Sequence, residues 1–100
     1  MGNLNNERDK MPTLNQRKSN NLLGQLFRGA RIKRNLTQAE LAKQFNYTSP
    51  QFCSNWERGL VVPPTNILPK LCKLLKVDTK EVTTILLKKR AAELKAIFKN

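Results

Sequence analysis

Apolar residues along most of the chain recur at every third or fourth position, the spacing that places side chains on one face of a helix. The first such series begins near residue 21, and its apolar members are Leu22, Leu23, Leu26, Phe27 and Ala30. No segment alternates apolar and polar residues as a half-buried strand would. The pattern therefore predicts an all-α protein, with Asn35 at the end of the first helix.

Capping residues divide the next stretch into two short helices. Thr37 and Glu40 have the spacing of a capping box at the start of the second helix. Asn46 is a residue type that tolerates the left-handed backbone at a helix end. Ser49-Pro50 fits the N-cap and first position of a third helix, which Gly59 is expected to end.

The remaining pattern predicts two more helices. Pro63-Pro64 interrupts the chain, and Thr65 can start a fourth helix. Asp78 and Glu81 have the spacing of a second capping box, which opens a long fifth helix extending to about Phe98. The predicted organisation is a disordered basic tail over residues 1–20, a helical domain over 21–78, and a long basic C-terminal helix over 79–100.

The fifth helix is longer than one small domain needs. After the residues expected to contact the domain, a second apolar series repeats at roughly heptad spacing and comprises Leu87, Ala91, Leu94 and Phe98. An exposed seam of this kind indicates self-association, and the alternative is that the helix folds back on the domain.

Composition narrows the classes of function. The 100 residues include no histidine, so the usual general base and metal ligand are absent, and we expect neither an enzyme nor a cofactor. The net charge of +12 favours a polyanionic partner. The sequence has neither a membrane-spanning run nor a secretory signal, and its two cysteines, Cys53 and Cys72, are expected to be buried free thiols. We therefore expect a cytoplasmic protein.

Two short helices joined by a brief turn, with a small residue where they cross, form either a helix-turn-helix unit or an ordinary helical hairpin. The stretch LFRGARIKRNLTQAELAKQFNYTSPQFCSNWERG resembles the helix-turn-helix domain of phage repressors and Cro proteins, often called the XRE type. The most specific matches are residues 36–42 and 54–59, followed by Pro63, and the resemblance covers residues 22–77. It implies a five-helix, lambda-repressor-like domain that binds duplex DNA, commonly as a dimer.

The resemblance also implies roles for individual residues. Arg31 and Glu57 match an internal salt bridge between the first and third helices, and Gln38 matches a phosphate-contacting glutamine at the start of the second. Ala42 is expected where the two helices cross. The other expected phosphate contacts come from the turn and from the end of the third helix, namely Tyr47, Thr48, Ser49 and Arg58.

The outward face of the third helix is expected to contact base edges. Gln51 and Asn55 are four residues apart, and each carries an amide that can bond adenine. Ser54 and Phe52 complete the expected base contacts, although Phe52 can instead pack against Tyr47 and Leu60. The chain departs from the family pattern by one additional residue within positions 47–50, which affects the N-terminal base contacts most.

These features predict a small, sequence-specific transcriptional regulator of the repressor or antitoxin type. We expect it to bind double-stranded DNA as a homodimer in the cytoplasm, on the nucleoid, without a small-molecule substrate or a membrane. The alternative is a protein-interaction adaptor that keeps this fold without reading DNA.

Overall fold

The structure of this protein is a computed structural model. It describes residues 14–99, with side chains from residue 17 onward. It consists of five α-helices, which are α1 (Leu14–Lys33), α2 (Gln38–Gln44), α3 (Gln51–Glu57), α4 (Leu68–Leu75) and α5 (Thr79–Phe98). A 3-10 turn, Thr65–Ile67, leads into α4. No strand occurs in this range. The prediction of an all-α fold with a long fifth helix is confirmed.

One core holds all five helices together. Every helix contributes apolar side chains that are almost completely buried, and these are Leu23, Phe27, Leu41, Ala42, Cys53, Trp56, Leu71, Cys72, Leu75 and Val82. The central helix is α1, which packs against α3, α4 and α5. Of the apolar series expected on the first helix, Leu23 and Phe27 belong to this core, whereas Leu22 is exposed.

Local sequence signals account for most of the helix ends. The Thr37 hydroxyl accepts a hydrogen bond from the amide of Glu40, whose carboxylate accepts one from the amide of Thr37, so the predicted capping box is present. Asn35, Asn46 and Gly59 adopt positive φ angles of 57°, 60° and 77°. Asparagine and glycine tolerate this conformation better than other residues, which explains why the helices stop there.

Two of the predicted caps differ in detail. The first residue of α3 is Gln51 rather than Pro50, although the Ser49 hydroxyl still accepts a hydrogen bond from the Gln51 amide at 3.0 Å. At the start of α5, the Asp78 carboxylate accepts a hydrogen bond from the amide of Lys80 at 2.8 Å. The Glu81 carboxylate does not accept the reciprocal hydrogen bond from the Asp78 amide. Asp78 therefore caps α5 alone, without the predicted capping box.

The first helix begins earlier than the sequence predicted. Residues 14–20 belong to α1, so the expected tail over residues 1–20 is wrong for this part, and residues 1–13 lie outside the described range. The physical reason is a tertiary contact, because the Asn20 amide donates to the Gly59 carbonyl oxygen at 3.2 Å and Asn20 is 5% exposed. A polar composition suggested disorder here, but the helix continues back to Leu14, and Asn20 is buried against the end of α3.

The seam on α5 faces solvent. Leu87, Leu94 and Phe98 are 64%, 37% and 81% exposed, and Ala91 is exposed as well. Val82 is buried, as expected for a residue that contacts the domain. The helix itself packs back on α1, which was one of the two alternatives, but it does so through its other face and leaves the seam exposed. No described helix combines the length and apolar character needed to cross a membrane.

Candidate nucleic-acid interface

The α2–turn–α3 unit packs its two helices against each other. Ala42 of α2 is 1% exposed and belongs to the core, where close packing leaves little room for a larger side chain. Its carbonyl oxygen accepts hydrogen bonds from the amides of Phe45 and Tyr47 at 3.0 and 3.1 Å. The connection spans residues 45–50, which is longer than the three or four residues that join the helices of a typical helix-turn-helix unit.

A cluster of aromatic rings fills this longer turn. The Tyr47 ring stacks on the Phe52 ring at 4.6 Å between centroids and on the Phe45 ring at 6.2 Å. Trp56 meets Tyr47 and Phe45 edge-on at 6.1 and 6.5 Å. Phe52 thus packs on Tyr47, one of the two alternatives left open by the sequence, yet remains 51% exposed. This stacking holds the N-terminal end of α3 in place.

A hydrogen-bonded network fixes the other end of α3 to α1 and α2. Arg31 Nε donates to Glu57 Oε2 at 2.6 Å, and Arg31 Nη2 donates to Glu57 Oε1 at 3.0 Å. Arg31 Nη1 also donates to the Leu36 carbonyl oxygen at 2.7 Å. Hydrogen bonds from the guanidinium to Glu57 raise the pKa of Arg31 despite the opposing effect of burial. The predicted structural salt bridge is confirmed.

Gln38 belongs to the same network. Its Nε2 atom donates to Glu57 Oε1 at 2.9 Å, so this half-buried side chain links the start of α2 to the last turn of α3. The sequence assigned Gln38 to phosphate contact, and the structure adds an internal partner for the same amide. An amide nitrogen has two hydrogens, so one bond to Glu57 leaves a second donor.

The outward face of α3 presents polar side chains. Gln51 is exposed, while Ser54 and Asn55 are half-buried. Gln51 Nε2 donates to Asn55 Oδ1 at 2.9 Å, so the two amides form a connected pair along the helix. This bond leaves the Gln51 oxygen and the Asn55 nitrogen available as acceptor and donor. Cys53, which was expected to be buried, and Trp56 are both buried on the opposite side of the helix.

The residues expected to contact phosphate occupy both ends of α3. Thr48 and Ser49 are exposed in the turn before it, and Arg58 is exposed just after its last residue. Tyr47 is half-buried because its ring belongs to the aromatic cluster. The structure thus groups turn hydroxyls at one end of the outward face and a cation at the other.

Two residues that position α3 were missed by sequence reasoning. A Cβ atom on Gly24 would lie 2.4 Å from the Trp56 carbonyl oxygen and 2.6 Å from that of Glu57, so only glycine permits α1 to approach so closely. Asn20, one turn earlier, donates to Gly59. A glycine inside an apolar helical pattern is a recognised sign of close packing, whereas nothing in the sequence distinguished Asn20.

A third missed residue supports α2. Lys70 Nζ donates to the Gln44 carbonyl oxygen at 2.5 Å and lies 5.0 Å from the centroid of the Phe45 ring. This cation therefore bonds the C-terminal end of α2, where backbone carbonyls carry partial negative charge. It connects α4 to the turn that precedes α3.

The cysteines are packing groups. Cys53 and Cys72 are both free and buried, and burial raises the pKa of the Cys53 thiol to about 11. Thiols protonated to such a high pH are poor nucleophiles and poor metal ligands. Over the described residues, no cluster of three or more histidine, cysteine or acidic side chains could hold a metal ion.

Comparison with known proteins agrees with this arrangement. A family model described as helix-turn-helix matches residues 27–82, more than half of the chain. The match includes α2, the turn and α3, together with Arg31 and Glu57. No curated protein and no solved structure matches the chain.

Proposed function

Because this chain belongs to the helix-turn-helix family, of the phage repressor and Cro type, we propose that it is a sequence-specific regulator that binds double-stranded DNA. In such domains the second helix of the unit enters the major groove and presents its N-terminal residues to base edges. Here that helix is α3. The proposed role is repression of transcription, as in small phage repressors and antitoxins.

The proposal rests on the two side-chain amides of Gln51 and Asn55, which are hydrogen-bonded to each other on the outward face of α3. Glutamine and asparagine can bond adenine through its N6 and N7 atoms, and each good pair contributes about 1–3 kcal/mol of discrimination. The helix that carries them is held from behind by Arg31–Glu57 and by the aromatic cluster. A rigid support of this kind keeps the reading side chains in position. Ser54 and Phe52 are proposed to complete the base contacts.

The surroundings of α3 suit a phosphate backbone. The turn hydroxyls of Thr48 and Ser49 and the guanidinium of Arg58 are exposed at its two ends, and such groups commonly bond phosphate oxygens. We assign Tyr47 and Gln38 to the same class of contact. The net charge of +12 would strengthen binding to any duplex.

The proposed assembly on DNA is a homodimer. Related domains bind two half-sites about one helical turn apart, which gives an operator with approximate two-fold symmetry. The proposed location is the cytoplasm, on the nucleoid. We propose no catalytic activity, cofactor or small-molecule substrate.

The decisive experiment is selection of bound sequences from a random duplex pool by the full chain. We expect an enriched motif with two related half-sites, and affinity for it should fall steeply with salt because each neutralised phosphate releases counterions. The Asn55→Ala variant should lose preference at one or two positions of each half-site.

Arg28→Ala is the matched control, because Arg28 is an exposed residue of α1 that we assign to no base contact. This variant should select the same motif as the wild-type chain. If the wild-type chain enriched no motif and its duplex affinity barely changed with salt, the adaptor alternative would replace the proposed function.

A further inference from the structure

The C-terminal half of α5 carries a narrow apolar stripe. With about 100° of rotation per residue, Leu87, Ala91, Leu94 and Phe98 fall within an arc of about 60° on the helix surface. All four are exposed, and Ile97, which is 64% exposed, lies about 60° beyond Leu94, outside this arc. A stripe confined to these alternating three- and four-residue steps is the pattern of a coiled-coil seam. We call these four residues the α5 seam.

The α5 seam points away from the rest of the protein. The residues of α5 that are buried or half-buried include Val82, Ile85, Leu86, Ala92 and Glu93, and helical geometry centres them about 180° from the seam. This opposite face packs along α1. The domain thus holds α5 by one side and presents the other as a preformed helical surface.

The borders of the seam are basic. Lys88, Arg90 and Lys95 are exposed beside it. Glu93 is the only acidic residue between positions 87 and 98. It faces the domain side and pairs with Arg90 at 3.4 Å and with Lys89 at 4.0 Å. The seam therefore has cationic borders and no acidic residue available to complement a second copy of itself.

Self-pairing through this seam would bring like charges together. With Leu87 and Leu94 at d positions, Lys95 takes an e position and Arg90 a g position, so a parallel pair would place Arg90 opposite Lys95. An antiparallel pair would bring Lys88 near Lys95 instead. Repulsion between these like charges disfavours both arrangements. Two heptads are also fewer than a self-sufficient coiled coil normally uses. The apolar series alone suggested that a second copy of the chain packs on this seam, but the charges do not favour a second copy there. The homodimer proposed on DNA therefore does not rest on the α5 seam.

An anionic membrane would match the charges but not the shape. Helices that lie in a membrane interface bury a broad apolar face, whereas here the exposed Arg90 lies between the α5 seam and Ile97 around the helix and limits the uninterrupted apolar arc to about 60°. We propose that the α5 seam docks an acidic amphipathic helix of a different protein, whose apolar stripe packs on Leu87, Leu94 and Phe98. Glutamates flanking that stripe would pair with Lys88 and Lys95. The resulting complex would be weak and reversible because the contact is short.

The test uses the full chain and two synthetic three-heptad peptides with leucine at every a and d position. One peptide has glutamate at its e and g positions and the other has lysine, so each repels its own copies. Binding is measured by fluorescence anisotropy at physiological salt. We expect the acidic peptide to bind about tenfold more tightly than the basic one, since several flanking pairs change sign together.

Two variants separate this contact from the general attraction of a basic protein. Lys88→Glu/Lys95→Glu should reverse the preference in favour of the basic peptide. The control Lys73→Glu/Lys76→Glu has the same net charge but changes exposed residues at the end of α4, and it should keep the original preference. Leu87→Gln/Leu94→Gln should abolish discrimination while leaving cooperative thermal unfolding intact, because both side chains are exposed.

Three results would overturn the proposal. Equal affinity for the two peptides would show that the borders of the seam do not select a partner. A dimer in sedimentation equilibrium that Leu87→Gln/Leu94→Gln dissociates would identify a second copy as the occupant. Binding to phosphatidylglycerol vesicles that requires Leu87 and Leu94, without discrimination between the peptides, would identify a membrane. None of these results depends on whether α3 reads DNA.

Discussion

Arg31 and Glu57 form a bidentate ion pair that joins α1 to the last turn of α3, with N–O distances of 2.6 and 3.0 Å. The side chains are 11% and 4% exposed, so both charges are largely withdrawn from water. Such a pair orients a helix well because two parallel bonds define both its distance and its angle. Helix α3 is therefore positioned by a residue that itself faces the interior.

Replacing Arg31 with alanine should destabilise the fold by about 3–5 kcal/mol, because it leaves the Glu57 carboxylate buried without its counter-ion. Urea denaturation measures this free energy of unfolding. Arg34→Ala is the control, since Arg34 is exposed just beyond the end of α1 and should change stability little. The double variant Arg31→Met/Glu57→Met should lose less unfolding free energy than Arg31→Ala does, because neither charge of the pair remains buried. Equal losses in the two variants would contradict this account.

Gln51→Ala and Asn55→Ala should each leave the melting temperature nearly unchanged, because both side chains lie on the outward face of α3. Each should weaken binding to the selected operator by about 1–3 kcal/mol. Since the two amides are hydrogen-bonded to each other at 2.9 Å, the double variant should weaken binding by less than the sum of the two single effects. Strict additivity in a binding titration would show that they act independently.

Gln38→Ala should affect binding and stability together. A lost phosphate contact weakens all duplexes about equally, because phosphate carries no sequence information. The same substitution removes the 2.9 Å bond to Glu57 and should cost about 0.5–1.5 kcal/mol of stability. A change in the selected motif would mean that Gln38 contacts a base.

The two glycines of α1 provide a matched pair with opposite expected signs. Gly24→Ala would bring a methyl group within 2.4 Å of the Trp56 carbonyl oxygen, so the helices must separate, at a cost of about 1–3 kcal/mol. Gly29→Ala meets no atom within 4 Å and should stabilise the helix by about 0.8–1 kcal/mol. Thermal unfolding of the two variants would show this difference directly. A stabilised Gly24→Ala protein would exclude the close approach of α1 and α3.

The free energy of unfolding should fall between pH 9 and pH 11. Burial raises the pKa of Cys53 from 9.0 to about 11, so the folded chain keeps a proton that the unfolded chain releases in this interval. The folded state then binds more protons, and stability decreases as pH rises. Cys53→Ala should reduce the loss of unfolding free energy over this pH interval by up to about 2 kcal/mol. Parallel curves for the two proteins would show that the Cys53 thiol does not contribute.

The sequence determined most of the helical framework through local rules. The recurrence of apolar residues identified the apolar face of α1 and the seam of α5, and residue chemistry located several helix ends. Thr37 and Glu40 cap α2 because their side chains reach backbone amides three residues away. Asn46 and Gly59 end helices because they tolerate positive φ angles. These interactions connect neighbours in the chain, so a short stretch of sequence contains all the information they need.

Tertiary structure decided the features that depend on distant partners. Asn20 and Gly59 are 39 positions apart, yet their hydrogen bond accompanies the extension of α1 back to Leu14. The close approach at Gly24 and the stacking of Phe52 on Tyr47 likewise depend on how the helices pack and how the turn folds. Whether the α5 seam folded back or faced solvent also depended on which side of α5 packed on α1. A spacing pattern shows that a helix has an apolar face, but only the packed structure determines which face is already covered.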